Sequence, residues 1–220
     1  LLDYHGLFIP GGFSSGDYVR AGAIFAARVK SALGDVLKEF VKSGRPVLGV
    51  CNGFQILVEM GILPGLTSSM TASPEAALTT NDSARFECRP SLLEHVRGNR
   101  SIFTSHLGDD IILVPVAHAE GKFMLPFERG KEILDKMVDQ GQVVFRYVGP
   151  QGQRNYPWNP NGSLYDIAGI CNRSGNVLGM MPHPERVLFK NRLPDWTSKE
   201  YEPAGPGIFD SAVRHIEDNW

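Results

Sequence analysis

Pro46-Val47-Leu48-Gly49-Val50-Cys51-Asn52-Gly53-Phe54-Gln55 is the most informative run in the chain. Its first half is an unbroken apolar stretch of the length of a buried strand. Its second half opens a helical pattern, Phe54, Ile56, Leu57 and Met60, that stops at Gly61 with Pro64 beyond. The junction reads Gly-x-Cys-x-Gly, the layout of a nucleophile elbow with cysteine in place of serine. Glycines on both sides let the chain turn sharply without a Cβ clash. The Cys51 thiol is then held at a helix N-terminus, where the macrodipole favours the thiolate. The Asn52 N–H is available to an oxyanion. A lone cysteine is more often a buried packing residue; two flanking glycines at a strand end reverse that preference.

On either side of this stretch, short apolar runs alternate with amphipathic ones. Leu7-Phe8-Ile9 reads as a buried strand ending at Gly11-Gly12. Val36, Leu37, Phe40 and Val41 share a helix face, with Gly44 as the stop. Thr67 to Asp82 reads as loop. Ala84–Cys88 and Ile111–Val116 read as strands, Glu128–Asp139 as a helix stopped by Gly141, and Val143–Val148 as a strand. A proline-bearing turn spans Gly149 to Ser163. Ile167–Cys171 and Val177–Met181 are strands joined by Ser174-Gly175-Asn176. Ile208, Ala212, Val213 and Ile216 mark a last helix. This order predicts a single α/β domain over residues 1–220, with a mixed, mainly parallel central sheet flanked by helices and some antiparallel additions.

A second chemical stretch is Met181-Pro182-His183-Pro184-Glu185-Arg186, directly after an apolar strand. Two prolines predict an extended segment in which His183 and Glu185 point the same way. That supplies a base and its orienting carboxylate, the remaining two members of a nucleophilic triad. Both this pair and Cys51 follow strands, and open α/β sheets place their sites at strand C-terminal ends. His118-Ala119-Glu120 has the same spacing after another apolar run but lacks the bracketing prolines, so His183 and Glu185 are preferred. His118 is expected to shape the pocket. Pro10-Gly11-Gly12-Phe13 exposes backbone N–H groups that can complete an oxyanion hole. Asp17 to Gly22 reads only as polar loop entering a helix. His5, His95, His106 and His215 show no partner pattern. No metal-binding spacing occurs, so the metal expectation is none.

Composition excludes several classes. The 220 residues carry 22 Lys+Arg against 24 Asp+Glu, a formal charge of −2, which gives no electrostatic case for nucleic acid. Hydrophobic residues at 42% and charged residues at 21% fit a globular core, and no apolar run is long enough for a membrane span. Three cysteines, Cys51, Cys88 and Cys171, do not form a disulfide framework, so a reducing compartment, the cytoplasm, is expected. Leu1 is not an initiator Met and lies close to the first strand, so residues upstream are expected to exist.

Assembled, these stretches resemble the class I (triad-type) glutamine amidotransferases, whose fold is flavodoxin-like. The resemblance runs through Pro10-Gly11-Gly12-Phe13-Ser14, Gly16-Asp17-Tyr18, Arg20-Ala21-Gly22, Gly49–Gln55, Arg85–Arg89, Ala117–Gly121, Asn159-Pro160-Asn161-Gly162-Ser163 and Gly175–Arg186. The Cys elbow and the His-Pro-Glu pair carry the superfamily; the Gly-Gly-Phe-Ser and Asn-Pro-Asn-Gly-Ser segments resemble its purine-synthesis branch. The resemblance implies Cys51 as nucleophile, His183 as base and acid, and Glu185 orienting His183. It implies an oxyanion hole from the Gly12, Phe13 and Asn52 backbone, and glutamine contacts at Gln55 and His118. It further implies a large synthetase subunit or domain that takes up ammonia, with or without a small third subunit. That partner uses ATP and Mg²⁺ to convert formylglycinamide ribonucleotide to its amidine, so no cofactor is expected in this chain. Two departures stand out: a first βαβ unit expected before Leu1, and Ala119 where members usually have Gly. A different pathway's amidotransferase, another cysteine hydrolase, and a regulatory subunit without turnover are the alternatives.

Overall fold

The computed structural model describes residues 1–108, 110–193, 196–197 and 201–220. Its strands are β1 (Leu7–Ile9), β2 (Val47–Val50), β3 (Ala77–Thr79), β4 (Glu87–His95), β5 (Ile111–His118), β6 (Lys122–Met124), β7 (Val143–Val148), β8 (Ile167–Cys171) and β9 (Val177–Met180). The helices are α1 (Ala23–Lys42), α2 (Asn52–Glu59), α3 (Gly130–Asp139) and α4 (Gly205–Asn219). Seven strands form the central sheet in the order β1-β2-β9-β8-β7-β4-β5, while β3 and β6 pair separately. β1, β2 and β9 are parallel; β9 to β8, β8 to β7, β7 to β4 and β4 to β5 are antiparallel. The sheet is mixed as expected, with a larger antiparallel share than the sequence suggested. The parallel part is the three-strand end that carries the elbow.

All four residues of β2 are buried, as the apolar run requires of a strand covered on both faces. Registered partners Ile9, Gly49 and Gly179 share one face, and Phe8, Leu48 and Leu178 the other. α2 packs onto the first face, where Cβ atoms on Gly49 and Gly179 would lie 2.5 Å from Leu57 Cδ1 and 2.1 Å from Phe54 Cδ2. Phe8 meets Phe209 of α4 edge-on at 6.1 Å, so α4 covers the second face. Asn176, in the turn before β9, donates to the Val41 and Arg45 carbonyls and ties that turn to the end of α1.

Several elements differ from the sequence reading. α1 starts at Ala23, well before the Val36–Val41 stripe, because its first half is alanine-rich and only Ala26 there is buried. The strand expected at Ala84–Cys88 is Glu87–His95, with Pro90 inside it. Pro90 lies opposite Pro115, a pair in which neither residue has an N–H to donate, and β7 pairs only from Leu92 onward, so no ladder bond is lost. Within the expected loop, Ala77–Thr79 forms β3 against β6, three residues too short for periodicity to show.

Gly53 makes the tightest approach to backbone: a Cβ there would stand 1.9 Å from the Ile9 carbonyl oxygen. Gly53→Ala is therefore expected to lower stability by about 2 kcal/mol or more, seen as a fall in the urea midpoint. Gly34, inside α1, would put its Cβ no closer than 3.9 Å to Lys30 Cγ. Gly34→Ala is expected to raise stability by roughly 0.5–1 kcal/mol through helix propensity; a fall in melting temperature would contradict this packing.

Candidate active site

Cys51 ends β2 and precedes α2 with φ 52° and ψ −108°. A non-glycine residue holds such a backbone only when its surroundings impose it, at a cost of order 1–3 kcal/mol. Gly49 and Gly53 have no positive φ. Their role is close approach of helix to strands, and the sharp turn is borne by Cys51 itself. The Cys51 N–H donates to Met180 O at 2.8 Å, so the parallel β2–β9 register continues to the elbow. His183 lies three residues past the end of β9, which brings it beside Cys51. Gly11 sits between them: a Cβ there would be 2.8 Å from His183 Cε1 and 3.3 Å from Cys51 Cβ.

His183 is 2% exposed, and its Nδ1 is 2.6 Å from Glu185 Oε1. Its Nε2 is buried with no protein partner among the described residues. The pair forms as expected, but not through an extended segment. His183 has φ −105° and ψ 85°, and Pro184–Val187 is a 3₁₀ turn that curls Glu185 back under the ring. The His183 N–H donates to Pro115 O at 2.8 Å, fixing the turn to β5.

Cys51 is 6% exposed, and its sulfur approaches Ala117 O at 3.6 Å. Burial pushes the Cys51 thiol up to about 11, against the lowering effect of the Asn52 N–H and Arg186. The expectation of a standing thiolate therefore fails in the resting chain: desolvation outweighs the helix end, and the thiol must lose its proton to a base during reaction.

Cys51 and His183 line one cleft of about 270 Å³ together with Gly12, Phe13, Gln55 and His118, and with Asp17, Glu120 and Arg186. Gly12 and Phe13 belong to its lining, and the Asn52 N–H is directed at the Cys51 sulfur. The Ser14 N–H donates to Asn52 Oδ1 at 3.2 Å, holding this loop over the start of α2. Gln55 receives the Asn52 amide at 2.9 Å and donates to Glu120 O at 2.6 Å, so it braces the wall.

His118 and Glu120 do not form a second base–carboxylate pair. His118 Nδ1 is 3.2 Å from Asn81 Oδ1, while Glu120 Oε2 accepts from the Ala21 N–H at 3.0 Å. Asn81 also accepts from the Gly121 N–H and donates to His118 O, clamping the wall. Burial holds His118 down at about 4, hence neutral near pH 7. Asn161 and Ser163 of the Asn-Pro-Asn-Gly-Ser segment are buried and both donate to Gly121 O, a supporting role for that wall. Asp17, Glu120 as a cleft carboxylate, and Arg186 were missed, because a single polar residue in a loop carries no periodic signal. Elsewhere, His95 packs near Phe145 and pairs through Nε2 with the Asn99 amide at 3.0 Å, and His215 contacts Gly44 O. Among the described residues, no group of three or more metal-ligating side chains gathers.

Residues 1–216 match the family described as CobB/CobQ-like glutamine amidotransferase domain, and the chain belongs to that family. Its relatives include the phosphoribosylformylglycinamidine synthase subunit PurQ of Archaeoglobus fulgidus, 50% identical over 220 residues, covering 99% of this chain and 80% of the relative. The subunit of the same name from Picrophilus torridus is 50% identical over 192 residues, 87% and 72% of the two chains. A chain in the structure of PurLQS from Thermotoga maritima superposes with a TM-score of 0.71 at 32% identity, covering 98% of this chain and 82% of that one.

Two measurements follow from the charges. With its thiol near 11, Cys51 in the isolated chain should react with iodoacetamide at a rate that still climbs steeply between roughly pH 8 and 10; a plateau below pH 8 would show a preformed thiolate. Folded His118 titrates near 4 against 6.5 for its ordinary value, so between those values the unfolded chain binds the extra proton. Stability contributed by neutral His118 is complete above pH 6.5 and falls as pH drops toward 4, by up to about 3 kcal/mol. Urea midpoints across that window should flatten in His118→Gln.

Proposed function

We propose that this chain is the glutaminase component of phosphoribosylformylglycinamidine synthase. It hydrolyses glutamine to glutamate and ammonia and hands the ammonia to a synthetase partner that makes formylglycinamidine ribonucleotide from formylglycinamide ribonucleotide. The observation that carries the chemistry is Cys51 on its elbow facing the same cleft as His183, whose Nδ1 is 2.6 Å from Glu185.

In this reaction His183 Nε2 takes the Cys51 proton as sulfur attacks the carboxamide carbon, and Glu185 stabilises the imidazolium through Nδ1–H. The oxyanion meets the Asn52 N–H and the Gly12–Phe13 backbone. His183 then protonates the leaving nitrogen, releasing ammonia and a γ-glutamyl thioester. Water activated by the same imidazole attacks the thioester, and glutamate leaves with Cys51 restored to a thiol.

The buried thiol beside Ala117 O supports the view that the free chain is a weak glutaminase gated by docking. The proposal assigns ATP and Mg²⁺ to the synthetase, allows a small third subunit in the assembly, and places the complex in the cytoplasm. Among the described residues no helix is long and apolar enough to cross a membrane.

In the reconstituted complex, Cys51→Ala should abolish glutamine-dependent formation of the amidine while leaving synthesis from added ammonium unchanged. Glu185→Gln should lower glutamine-dependent kcat by roughly 10²-fold or more. Glutamine-dependent product at the wild-type rate from Cys51→Ala would reject this role for the elbow.

A further inference from the structure

At the opposite end of the parallel strands from Cys51, a cavity of about 390 Å³ opens between the end of α1, the loop after α2 and the turn joining β8 to β9. Three exposed cations line it, Lys42, Arg100 and Arg173, and among the described residues no carboxylate does. None of the three is in an ion pair with a described residue. In a chain of formal charge −2, such a local excess of positive charge repels itself unless an anion enters. The fold holds the backbones that carry these cations together. A Cβ on Gly175, at φ 81°, would lie 2.1 Å from Arg100 O, so this glycine lets the Arg100 backbone rest on the turn. Arg100 Nη1 donates to Arg173 O at 3.1 Å, and the Ile102 N–H to Gly175 O at 3.0 Å. The Asn176 amide, bonded to the Val41 and Arg45 carbonyls, sets Lys42 beside the same turn.

Hydroxyl groups complete the lining. Ser69 Oγ is buried and has no partner among the described residues. An unsatisfied buried hydroxyl is costly, and here it points to an acceptor supplied from outside the chain. The Ser174 hydroxyl, on the turn itself, makes no hydrogen bond to a described residue either. Thr67 and Ser68 already donate, to Glu75 Oε1 and Met70 O. Glu75 is turned to the Leu66 N–H at 2.8 Å and does not belong to the lining. Val41 is the one large apolar side chain there, and among the described residues no aromatic ring lines the cavity. It offers charge and hydrogen bonds but no surface on which a base could stack.

We infer that this cavity binds a phosphate monoester with a polar, non-aromatic body, of the size of a pentose phosphate. Lys42, Arg100 and Arg173 meet the phosphoryl oxygens through charge-assisted hydrogen bonds. Ser69 and Ser174 supply the neutral donors. The site lies apart from the catalytic cleft and does not depend on the glutaminase reading. The competing role needs no ligand: Lys42 complements the carbonyl end of α1, and the two arginines stay in water.

Calorimetric titration separates the two. The full chain, titrated with ribose 5-phosphate at about 150 mM salt so that loose surface attraction is screened, should show one site with a Kd of roughly 1 mM or tighter. Ribose should not bind, and adenosine 5′-monophosphate should bind no more tightly than ribose 5-phosphate. Arg173→Gln, Lys42→Gln and Ser69→Ala should each weaken binding roughly fivefold or more. Arg28→Gln removes an exposed charge of α1 outside the cavity and should leave Kd within about twofold. No saturation by about 10 mM ribose 5-phosphate, or equal weakening by Arg28→Gln, would overturn the site and leave its cations as a solvated surface. Tighter binding of adenosine 5′-monophosphate would overturn the non-aromatic assignment.

Discussion

The approach of α2 to the parallel strands is the constraint on which the site depends. Gly49, Gly53 and Gly179 have no side chain because the helix occupies that space, most severely at Gly53 against the Ile9 carbonyl. With α2 pressed this close to β1, β2 and β9, the chain has no room for a gradual turn between strand and helix. The whole reversal falls on Cys51, at φ 52°. The β2–β9 register then delivers His183 to the same cleft, and the absent Cβ of Gly11 leaves room for both, since a side chain there would crowd His183 Cε1 and Cys51 Cβ. Packing contacts well below the surface therefore place both side chains on one cleft.

Electrostatics in the cleft follow from the same burial. Desolvation holds the thiol protonated and His118 neutral, while Asp17, Glu120 and Arg186 line the same cleft. In the proposed reaction His183 accepts the thiol proton, and Glu185 is in place to balance it.

The residues legible in the sequence were those tied to a repeat or a local clash. The apolar run into Gly-x-Cys-x-Gly announced β2, Cys51 and α2, and the His-Pro-Glu spacing announced the pair at 2.6 Å. The route to that pair was different: the expected extended segment is a 3₁₀ turn, because proline at the first helical position favours a turn start as readily as an extended chain. β4 was misplaced because Pro90 argues against a strand until its partner, Pro115, is known to lie opposite. The acidic side of the cleft was illegible for a different reason. Asp17 and Glu120 are 103 positions apart in the numbering, and only the folded loop, through the Ala21 and Gly22 N–H groups, makes them neighbours.

The most direct test of the account is covalent trapping by 6-diazo-5-oxo-norleucine, a glutamine mimic that reacts with an activated nucleophile, read by intact mass and peptide mapping. Labelling of the complex with its synthetase should give a single adduct on Cys51, suppressed by excess glutamine and absent from His183→Ala. Labelling at Cys88 or Cys171 instead, or an adduct on Cys51 that glutamine does not suppress, would contradict the assignment of this cleft to glutamine.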